Sequence, residues 1–329
     1  MNLKLKNIGI IKKADINIDG LTVIAGENDS GKSTVGKVLY AIMKSISKDK
    51  KISTISLKNN FNQYFDGEVS NNGNILFTQD NIKLKIEIDN NNYKINEKEL
   101  ETCFFIVNNG SSNVIMIETP LVWNMMELFT KLPMIEDEMA IELEYPKIMK
   151  DLHLNLSLKS KYKGIDISDT IKDIINGEFL KDDSSNYYFN KDDKKIKLIN
   201  TATGIKYFGI LQTLSNNNHL NQDKILILDE PEVHLHPKWQ LKLAELIVIL
   251  VKNGVKIVVN SHSPYMIEAL QRYSEQQKIE DQTNFYLAQD EIIDKIENSN
   301  SRTLSEIFEK LSEPFDIFDE MDSNKIQND

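Results

Sequence analysis

The stretch that most constrains the fold is residues 25–34, which read AGENDSGKST and contain the pattern G-x-x-x-x-G-K-S. The apolar run 21–24, a strand candidate, comes directly before it. Apolar residues at helical spacing follow it, namely Val35, Val38, Leu39, Ile42, Met43 and Ile46. A strand, a glycine-bounded loop and a helix in this order form the setting in which the pattern makes a phosphate-binding loop.

The residue types in this loop suit a nucleoside triphosphate. Gly26 and Gly31 allow a curled backbone whose N–H groups point at phosphate oxygens, and the helix that follows adds its positive end. Lys32 can reach the β- and γ-phosphates, and Ser33 can ligate Mg²⁺. A plain glycine turn before a helix is the weaker alternative, because the full motif occurs in its required setting. The predicted nucleotide contacts are Gly26, Glu27, Asn28, Asp29, Ser30, Gly31, Lys32, Ser33 and Thr34.

Composition points to a large water-soluble protein without a membrane segment. The chain has 329 residues, of which 40% are hydrophobic and 27% charged, so two lobes or one elaborated domain are expected. Its single cysteine, Cys103, excludes an internal disulfide and is expected to be a buried small hydrophobe. The N-terminus shows no signal-peptide pattern, and the longest apolar run, 246–251, is too short to cross a bilayer. We therefore expect a cytoplasmic protein.

The charge balance argues against binding polyanions through bulk electrostatics. The net charge is −11 and the isoelectric point about 5.1. Lysines do concentrate at 48–51, 159–163 and 191–197, but such strips are usually solvated surface. Contact with DNA is thus left open rather than predicted.

The pattern of strands and helices divides the chain into three parts. Residues 2–25 suggest three strands. Residues 47–195 form a long insertion of asparagine-rich turns, short strands and helices, without the heptads of a coiled coil. The insertion's predicted strands are 74–77, 82–88, 102–107, 187–189 and 196–199, and its predicted helices are 120–129, 133–143 and one around 171–175, capped by Ser168 or Asp169 and ending at Gly177.

Beyond residue 201 the pattern alternates regularly. The pattern predicts helices and strands in turn: a helix at 203–214, a strand at 225–228, a helix at 239–251, a strand at 255–259 and a short helix at 264–270. This alternation predicts an α/β fold with a mostly parallel sheet. The tail is predicted to hold a strand at 284–287, a helix at 303–311 and a loose acidic end from Glu313. The expected domains are a core of 1–46 with 196–290, an inserted lobe of 47–195 and a helical tail of 291–329.

A second motif, Leu228-Asp229-Glu230-Pro231, ends the aliphatic strand. A carboxylate at such a strand end is how nucleoside triphosphatases hold Mg²⁺, so Asp229 is the predicted metal ligand together with Ser33. Glu230, one residue further on, points elsewhere and can act as general base on the attacking water. Two solvated carboxylates are the alternative, and the upstream phosphate loop favours the catalytic interpretation.

Four segments together, 26–34, 201–206, 225–237 and 258–266, resemble the ABC-type ATPases of the large AAA-named group. The chain is similar to the ATPase halves of overcoming-lysogenization-defect nucleases and to SMC-like repair ATPases. The resemblance implies a P-loop NTPase head of ABC type, with an N-terminal antiparallel β region and a mixed α/β insertion. It covers both ends of the chain well and the 47–195 insertion only loosely.

The resemblance also assigns roles to residues outside the loop. It makes Thr203-Gly204 the signature segment, which contacts the γ-phosphate bound on a second subunit. The family usually has serine and glycine there, so Ala202 is a departure, for which Thr203 can substitute. His262 matches the switch histidine that senses the γ-phosphate, and it joins Lys32 and Glu230 as a predicted catalytic residue. A helix-capping Ser-His-Ser is the alternative for 261–263.

Other positions in the chain also have candidate roles. The sequence His234-Leu235-His236 could suggest zinc, but no further ligand stands at a suitable spacing. The resemblance makes that loop a contact with the partner subunit instead. The family's glutamine loop is left between Gln63 and Gln79. Trp123 and Trp239 are predicted to be core or interface aromatics.

These observations predict an ATPase that converts ATP and water to ADP and phosphate. Two nucleotides would lie between the head-to-tail subunits of a homodimer. No cluster of spaced carboxylates like that of the related nucleases follows His262, so a separate effector protein, a nuclease or toxin, is expected. The resemblance suggests bacterial anti-phage defence as the setting. A nucleotide-gated DNA-repair head is the alternative function, and the ATPase subunit of a transporter is less favoured.

Overall fold

The computed structural model describes residues 1–46, 52–65, 67, 69–70, 72–79, 82–90, 92–95, 113–140 and 143–326. The predicted strand at 102–107 and Cys103 lie outside these residues. Within the described part of the chain, no helix is both long and apolar enough to cross a membrane.

The strands are β1 (Asn2–Ile8), β2 (Ile11–Asn17), β3 (Leu21–Gly26), β4 (Asn72–Gln79), β5 (Ile82–Asp89), β6 (Asn92–Ile95), β7 (Val114–Ile117), β8 (Glu178–Lys181), β9 (Tyr187–Lys191), β10 (Lys194–Lys197), β11 (Ile225–Asp229), β12 (Lys256–Ser261), β13 (Thr283–Gln289) and β14 (Ile292–Asp294). The helices are α1 (Lys32–Ser45), α2 (Thr54–Tyr64), α3 (Val122–Met139), α4 (Lys147–Ser157), α5 (Ser168–Ile175), α6 (Thr203–Asn216), α7 (Pro237–Lys252), α8 (Pro264–Gln277) and α9 (Asn300–Ile326).

The described strands form one large mixed sheet and one small antiparallel sheet. The large sheet has the order β6-β5-β4-β1-β2-β14-β13-β3-β12-β11-β7, and the small sheet has the order β10-β9-β8. Strands β13, β3, β12, β11 and β7 run parallel to one another, whereas β1, β2, β4, β5 and β6 pair antiparallel. The predicted α/β fold, with a mostly parallel centre and an N-terminal antiparallel region, is confirmed.

The central strands are apolar throughout because the sheet is covered on both faces. Along β11, Leu226 and Leu228 belong to one buried cluster, while Ile225 and Ile227 belong to the other. The first cluster includes the apolar faces of α6 and α7, and the second includes the apolar face of α1. Since alternate side chains point to opposite faces of a strand, an unbroken aliphatic run is what this position requires.

The small sheet packs on α6. The Phe179 ring lies so close to Gly209 that a Cβ at that glycine would come within 2.3 Å of it. The backbone N–H of Phe179 donates to Oε1 of Gln212 at 2.8 Å. Strand β7, which also comes from the 47–195 stretch, lies in the large sheet beside β11. The division into core, inserted lobe and tail stays a prediction.

Three predicted boundaries were wrong. The two helices at 120–129 and 133–143 are one helix, α3, which continues through Pro133 because Phe129 and Leu132 are buried on the same packed face. Helix α5 has Ile167 at its N-cap without a side-chain cap, and it ends at Asn176 in a left-handed conformation, one residue before Gly177. The acidic end predicted to be loose continues α9 as far as Ile326.

Candidate nucleotide site

The predicted site residues meet at one edge of the large sheet. Parallel strands β3, β12, β11 and β7 all end there, and their last residues lead into the 26–31 loop, His262, Glu230 and Glu118. The register places Asn260 beside both Asp229 and Ile24, so the ends of the strands lie level. Ligands of α/β proteins bind outside the carboxyl ends of such strands.

Two loop positions require glycine. A Cβ at Gly26 would lie 2.2 Å from the carbonyl oxygen of Ala288 on the neighbouring strand β13. Gly31 has a φ of 89°, in the left-handed region, and a Cβ there would lie 2.6 Å from Cγ1 of Ile11. These constraints shape the loop that begins α1.

Lys32 lies inside the loop and is only 4% exposed. Its Nζ donates to the carbonyl oxygen of Gly26 at 3.0 Å and to that of Glu27. Burial lowers the pKa of the Lys32 ammonium, while the negative charges of Glu230, Asp229, Glu232 and Glu27 act in the opposite direction. The ammonium is thus held at the point where the loop would receive phosphate oxygens.

The predicted metal ligands lie side by side. Ser33 Oγ donates to Oδ1 of Asp229 at 3.1 Å, and Asn260 Nδ2 donates to the same oxygen at 2.7 Å. A hydroxyl and a carboxylate are hard oxygen ligands, and Mg²⁺ is usually held by only one or two protein groups together with phosphate and water. The donor set therefore fits Mg²⁺ bound with a nucleotide. No sequence motif singles out Asn260, which lies wholly buried in β12.

The predicted base and switch residues also lie together. Glu230 has a φ of 46°, which is unusual for a residue other than glycine, and its N–H donates to Asn260 O at 2.9 Å. Oε1 of Glu230 lies 3.3 Å from Nδ1 of His262. The turn separates the two neighbouring carboxylates, so Asp229 contacts Ser33 while Glu230 lies beside His262. Their separate roles stay a prediction.

Glu118, at the end of β7, was missed in the sequence. It lies 3.5 Å from Nζ of Lys37, one helical turn beyond Ser33. Burial raises the pKa of the Glu118 carboxyl, the Asp229 charge raises it further, and Lys37 opposes both. The sequence signal for Glu118 is its position directly after the apolar strand β7, but a strand of four residues is too short to recognise by periodicity. The structure thus adds a carboxylate on the far side of Asp229.

Neither candidate for the glutamine loop lies at a strand end beside Asp229. Gln63 is in α2 and lines a cleft of about 840 Å³ that also contains Lys37 and Glu118. Gln79 ends β4, which belongs to the antiparallel part of the sheet. The assignment between them stays open.

The signature segment begins α6 as predicted and packs on the loop after β11. A Cβ at Gly204 would lie 3.0 Å from Cδ2 of Leu235 and 3.1 Å from the carbonyl oxygen of His234. Ala202 occupies the N-cap of α6 and offers no side-chain cap. In the described part of the chain, no hydrogen bond or ion pair joins Thr203 or Gly204 to the 26–34 loop of the same copy. Their predicted role toward a second copy stays a prediction.

His236 and the two tryptophans contribute to helix capping and packing. His236 caps α7, since its Nδ1 accepts from the N–H of Lys238 at 3.3 Å. Trp123 is buried and donates through Nε1 to the carbonyl oxygen of Lys206 at 2.9 Å. Trp239 is half-buried and packs edge-on against Phe208. Of the two residues predicted to be core or interface aromatics, Trp123 belongs to the core and Trp239 packs against it.

A protein-family model matches part of the chain. The family described as "AAA domain, putative AbiEii toxin, Type IV TA system" matches residues 150–268, less than half of the chain. The match includes the signature segment, β11 and His262, and it excludes the 26–34 loop.

Two curated relatives are similar over short segments. The chain is 38% identical over 45 residues to the "Septu protein PtuA" of Bacillus thuringiensis, covering 14% of this chain and 11% of that protein. It is 30% identical over 100 residues to the "Retron Vc95 probable ATPase" of Vibrio cholerae serotype O1 biovar El Tor, covering 30% of this chain and 19% of that one. The matches thus span a fifth or less of these relatives.

Solved structures support the fold. The Smc head bound to the C-winged helix domain of ScpA superposes with a TM-score of 0.52 at 14% identity, covering 89% of this chain and 95% of that one. A Smc head with an extended coiled coil, bound to the C-terminal domain of ScpA derived from Pyrococcus furiosus, gives 0.50 at 13% identity, covering 93% and 98%. The fold is therefore that of SMC-type ATPase heads, and the family match and the strand-end site together point to an ATPase. The narrower resemblance to overcoming-lysogenization-defect nucleases stays a prediction.

Proposed function

We propose that this protein binds ATP with Mg²⁺ at the strand-end site, hydrolyses it to ADP and phosphate, and uses the cycle to regulate a separate effector protein. The observation that supports this most is the hydrogen bond between Ser33 and Asp229, 196 residues apart in sequence. It joins the phosphate loop to the acidic strand end and places Lys32 and Glu230 at the same edge.

The roles follow from the chemistry of these groups. Loop N–H groups and the Lys32 ammonium would bind the phosphates and stabilise charge that develops on the leaving group. Ser33 and Asp229 would hold Mg²⁺, which screens phosphate charge when bound. Glu230 would accept a proton from the attacking water, and His262 beside it would contact the γ-phosphate. The water oxygen then forms its bond to phosphorus as the bond to the ADP oxygen breaks.

The direct test is phosphate release from ATP by the purified protein. We expect hydrolysis that needs Mg²⁺, falling at least about a hundredfold with EDTA, because the cation neutralises charge that the side chains alone cannot. Excess Mg²⁺ added after EDTA should restore the rate, which serves as the control. Equal rates with and without the chelator would contradict the proposed metal ligands.

We further propose that two copies enclose two nucleotides, each copy supplying its Thr203-Gly204 segment to the other. A helix N-terminus with a hydroxyl is a good anion contact, and this one is the start of α6. The likeness to SMC heads is compatible with such a pairing.

Ala202→Ser tests whether the missing hydroxyl limits turnover. A serine at this N-cap can add a hydrogen bond to the γ-phosphate. We expect kcat to rise about fivefold, because a hydrogen bond to a charged group stabilises its partner by at least about 1 kcal/mol. Steady-state phosphate release measures this, and Thr203→Ala is the matched variant expected to lower kcat. An unchanged rate for Ala202→Ser would mean that Thr203 already provides the contact.

The effector and the setting rest on the sequence relatives. Similarity to a Septu protein and to a retron ATPase supports a role in anti-phage defence, with a nuclease or toxin as the regulated partner. Capture of the tagged protein from its own cells, with and without ATP, tests this. An effector that binds only in one nucleotide state would support regulation, and capture without any partner would contradict it.

A further inference from the structure

Glu232 is a deeply buried carboxylate that neither motif explains. It lies between β11 and α7 and is 4% exposed. Its Oε1 accepts from Ser261 Oγ at 2.6 Å, from the backbone N–H of His262 at 2.9 Å and from that of Ser263 at 3.2 Å. Burial of a carboxylate is costly unless hydrogen bonds compensate it. Three donors on Oε1, all from residues 261–263, provide part of that compensation, while Oε2 is buried without a hydrogen-bond partner among the described residues.

The same oxygen also faces the His262 ring. Nδ1 of His262 lies 3.6 Å from Oε1 of Glu232 and 3.3 Å from Oε1 of Glu230. Nδ1 is buried and, among the residues that the structure describes, makes no hydrogen bond of good geometry, so these two oxygens are what a proton on Nδ1 would face. Ionised carboxylates only accept hydrogen bonds, so they favour the ring form with hydrogen on Nδ1. The His262 side chain is 38% exposed although Nδ1 is buried, so its exposed part lies on the other ring atoms.

The segment that carries His262 is held from its other side as well. Ser263 Oγ donates to Oε1 of Gln240 at 2.6 Å and accepts from the N–H of Met266, which caps α8. Gln240 Nε2 in turn donates to Leu235 O at 3.1 Å. Glu232 and Gln240 thus tie residues 261–263 to the loop after β11 and to α7. The position of His262 follows the position of that loop.

We propose that Glu232 is a positioning residue, which holds the backbone of 261–263 and fixes the Nδ1–H form of His262 so that Nε2 faces the nucleotide. The effect of Glu232 on kcat rests on the proposed function, whereas its effect on the ring form of His262 rests on geometry alone. The hydrogen-bonding oxygen, rather than the negative charge, carries the role. Glu230 acts on the water, and Glu232 acts only through His262.

Nitrogen NMR of the nucleotide-free protein tests the ring form without any catalysis. The chain has five histidines, and His262→Gln identifies the signal of His262 by its loss. We expect wild type to show Nδ1–H at His262. We expect Glu232→Ala to show a mixture in which Nε2–H, the form that free histidine favours, is substantial, because release of the 261–263 backbone also moves the ring away from Oε1 of Glu230. Identical ring signals in wild type and Glu232→Ala would overturn the proposal.

Kinetics separate positioning from binding. Glu232→Ala should lower kcat at least about thirtyfold while the Kd for ATP changes less than about threefold, because the ground-state contacts of the phosphate loop persist. Glu232→Gln keeps an accepting oxygen for the same three donors, so its kcat should stay within about fivefold of wild type. Loss of ATP binding in Glu232→Ala, or a glutamine variant as slow as the alanine variant, would overturn the assignment.

Tyr207→Phe is the matched control for Glu232→Ala in both the NMR and the kinetic experiment. Tyr207 is buried on α6 near Glu232, and its hydroxyl makes no hydrogen bond to any described residue, so removing that oxygen should leave kcat and the ring form unchanged. If Glu232→Ala does not fold, Ser261→Ala removes one of the three donors and should lower kcat about three- to tenfold with the same trend in ring form. Normal kcat and ring form in that variant would overturn the proposal. Absence of ATPase activity in wild type would instead remove the proposed function and leave the NMR result decisive for Glu232.

Discussion

Lys32→Ala is expected to abolish ATP hydrolysis and to weaken ATP binding at least about a hundredfold, the scale of a lost charge-assisted contact in a buried site. The side chain is 4% exposed and already bonded to the Gly26 carbonyl, so it is held in place before the nucleotide arrives. No neighbouring cation in this part of the loop can replace it, since residues 26–34 contain no other lysine or arginine. Without the Lys32 charge, the phosphates would also be repelled by the four nearby carboxylates, which are those of Glu27, Asp229, Glu230 and Glu232.

Calorimetric titration with ATP and phosphate release measure the two effects. Lys4→Ala is the matched control, because Lys4 lies on β1, is half exposed and pairs with Asp15 at 2.6 Å. Surface pairs of this kind contribute little, so binding and turnover should match wild type. Hydrolysis by Lys32→Ala at the wild-type rate would remove the central claim about the loop. A variant that unfolds would be recognised by its circular dichroism and would not count.

The phosphate loop and the acidic strand end could be read from the sequence because each carries a local signal. Gly26 and Gly31 stand at fixed spacing before a lysine, and the structure shows close approaches at both positions that a Cβ would block. The aliphatic residues of β11 are unbroken because both faces of the sheet are covered. Local pattern and burial agree there, so the strand, the loop and the helix lie where the sequence predicts them, and nucleotide binding by the loop stays a prediction.

Other parts of the site could not be predicted because they depend on tertiary contacts. Glu118 follows a four-residue strand whose place beside β11 is fixed only by the assembled sheet. Glu232 looks like one more acidic residue in an acidic motif, and only folding brings it to the backbone of 261–263. Asn260 is a polar residue that follows the apolar run 257–259 in β12, and its partner, Asp229, is 31 residues away.

The helix boundaries were misjudged where packing overrides a local signal. Pro133 has no N–H to donate and usually ends or kinks a helix, which is why two helices were expected. In the structure Phe129 and Leu132 are buried and keep both halves of α3 on one surface. The sequence pattern includes the free energy that a proline costs inside a helix, but it does not include the burial of neighbouring apolar side chains that offsets this cost.

Glu230→Gln is expected to bind ATP with wild-type affinity and to hydrolyse it at least about a hundredfold more slowly, as for loss of a general base. Glutamine has nearly the same shape, and its oxygen can still face Nδ1 of His262, which lies 3.3 Å from Glu230 Oε1. The left-handed turn at 230 and the N–H bond to Asn260 O do not depend on the carboxylate. What is lost is the group that accepts the proton from water.

Single-turnover phosphate release and ATP titration separate these two quantities. Glu245→Gln is the matched control, since that carboxylate lies on the surface of α7 and pairs with Lys242 at 3.0 Å. Both rate and affinity should equal wild type in the control. A Glu230→Gln protein that hydrolyses ATP normally would show that another group accepts the proton, and Glu118 would be the next carboxylate to test.

The slow variant also tests the pairing of two copies. If ATP is enclosed between head-to-tail subunits and hydrolysis releases them, a variant that holds ATP without cleaving it should accumulate as a dimer. Size-exclusion chromatography should show Glu230→Gln as a dimer with ATP and a monomer without it, while wild type returns to monomer as ATP is consumed. The double variant Glu230→Gln/Lys32→Ala should stay monomeric, because it lacks the nucleotide that joins the copies. A monomer under every condition, with ATP shown to be bound, would mean that each site works within one chain and that Thr203-Gly204 has another role.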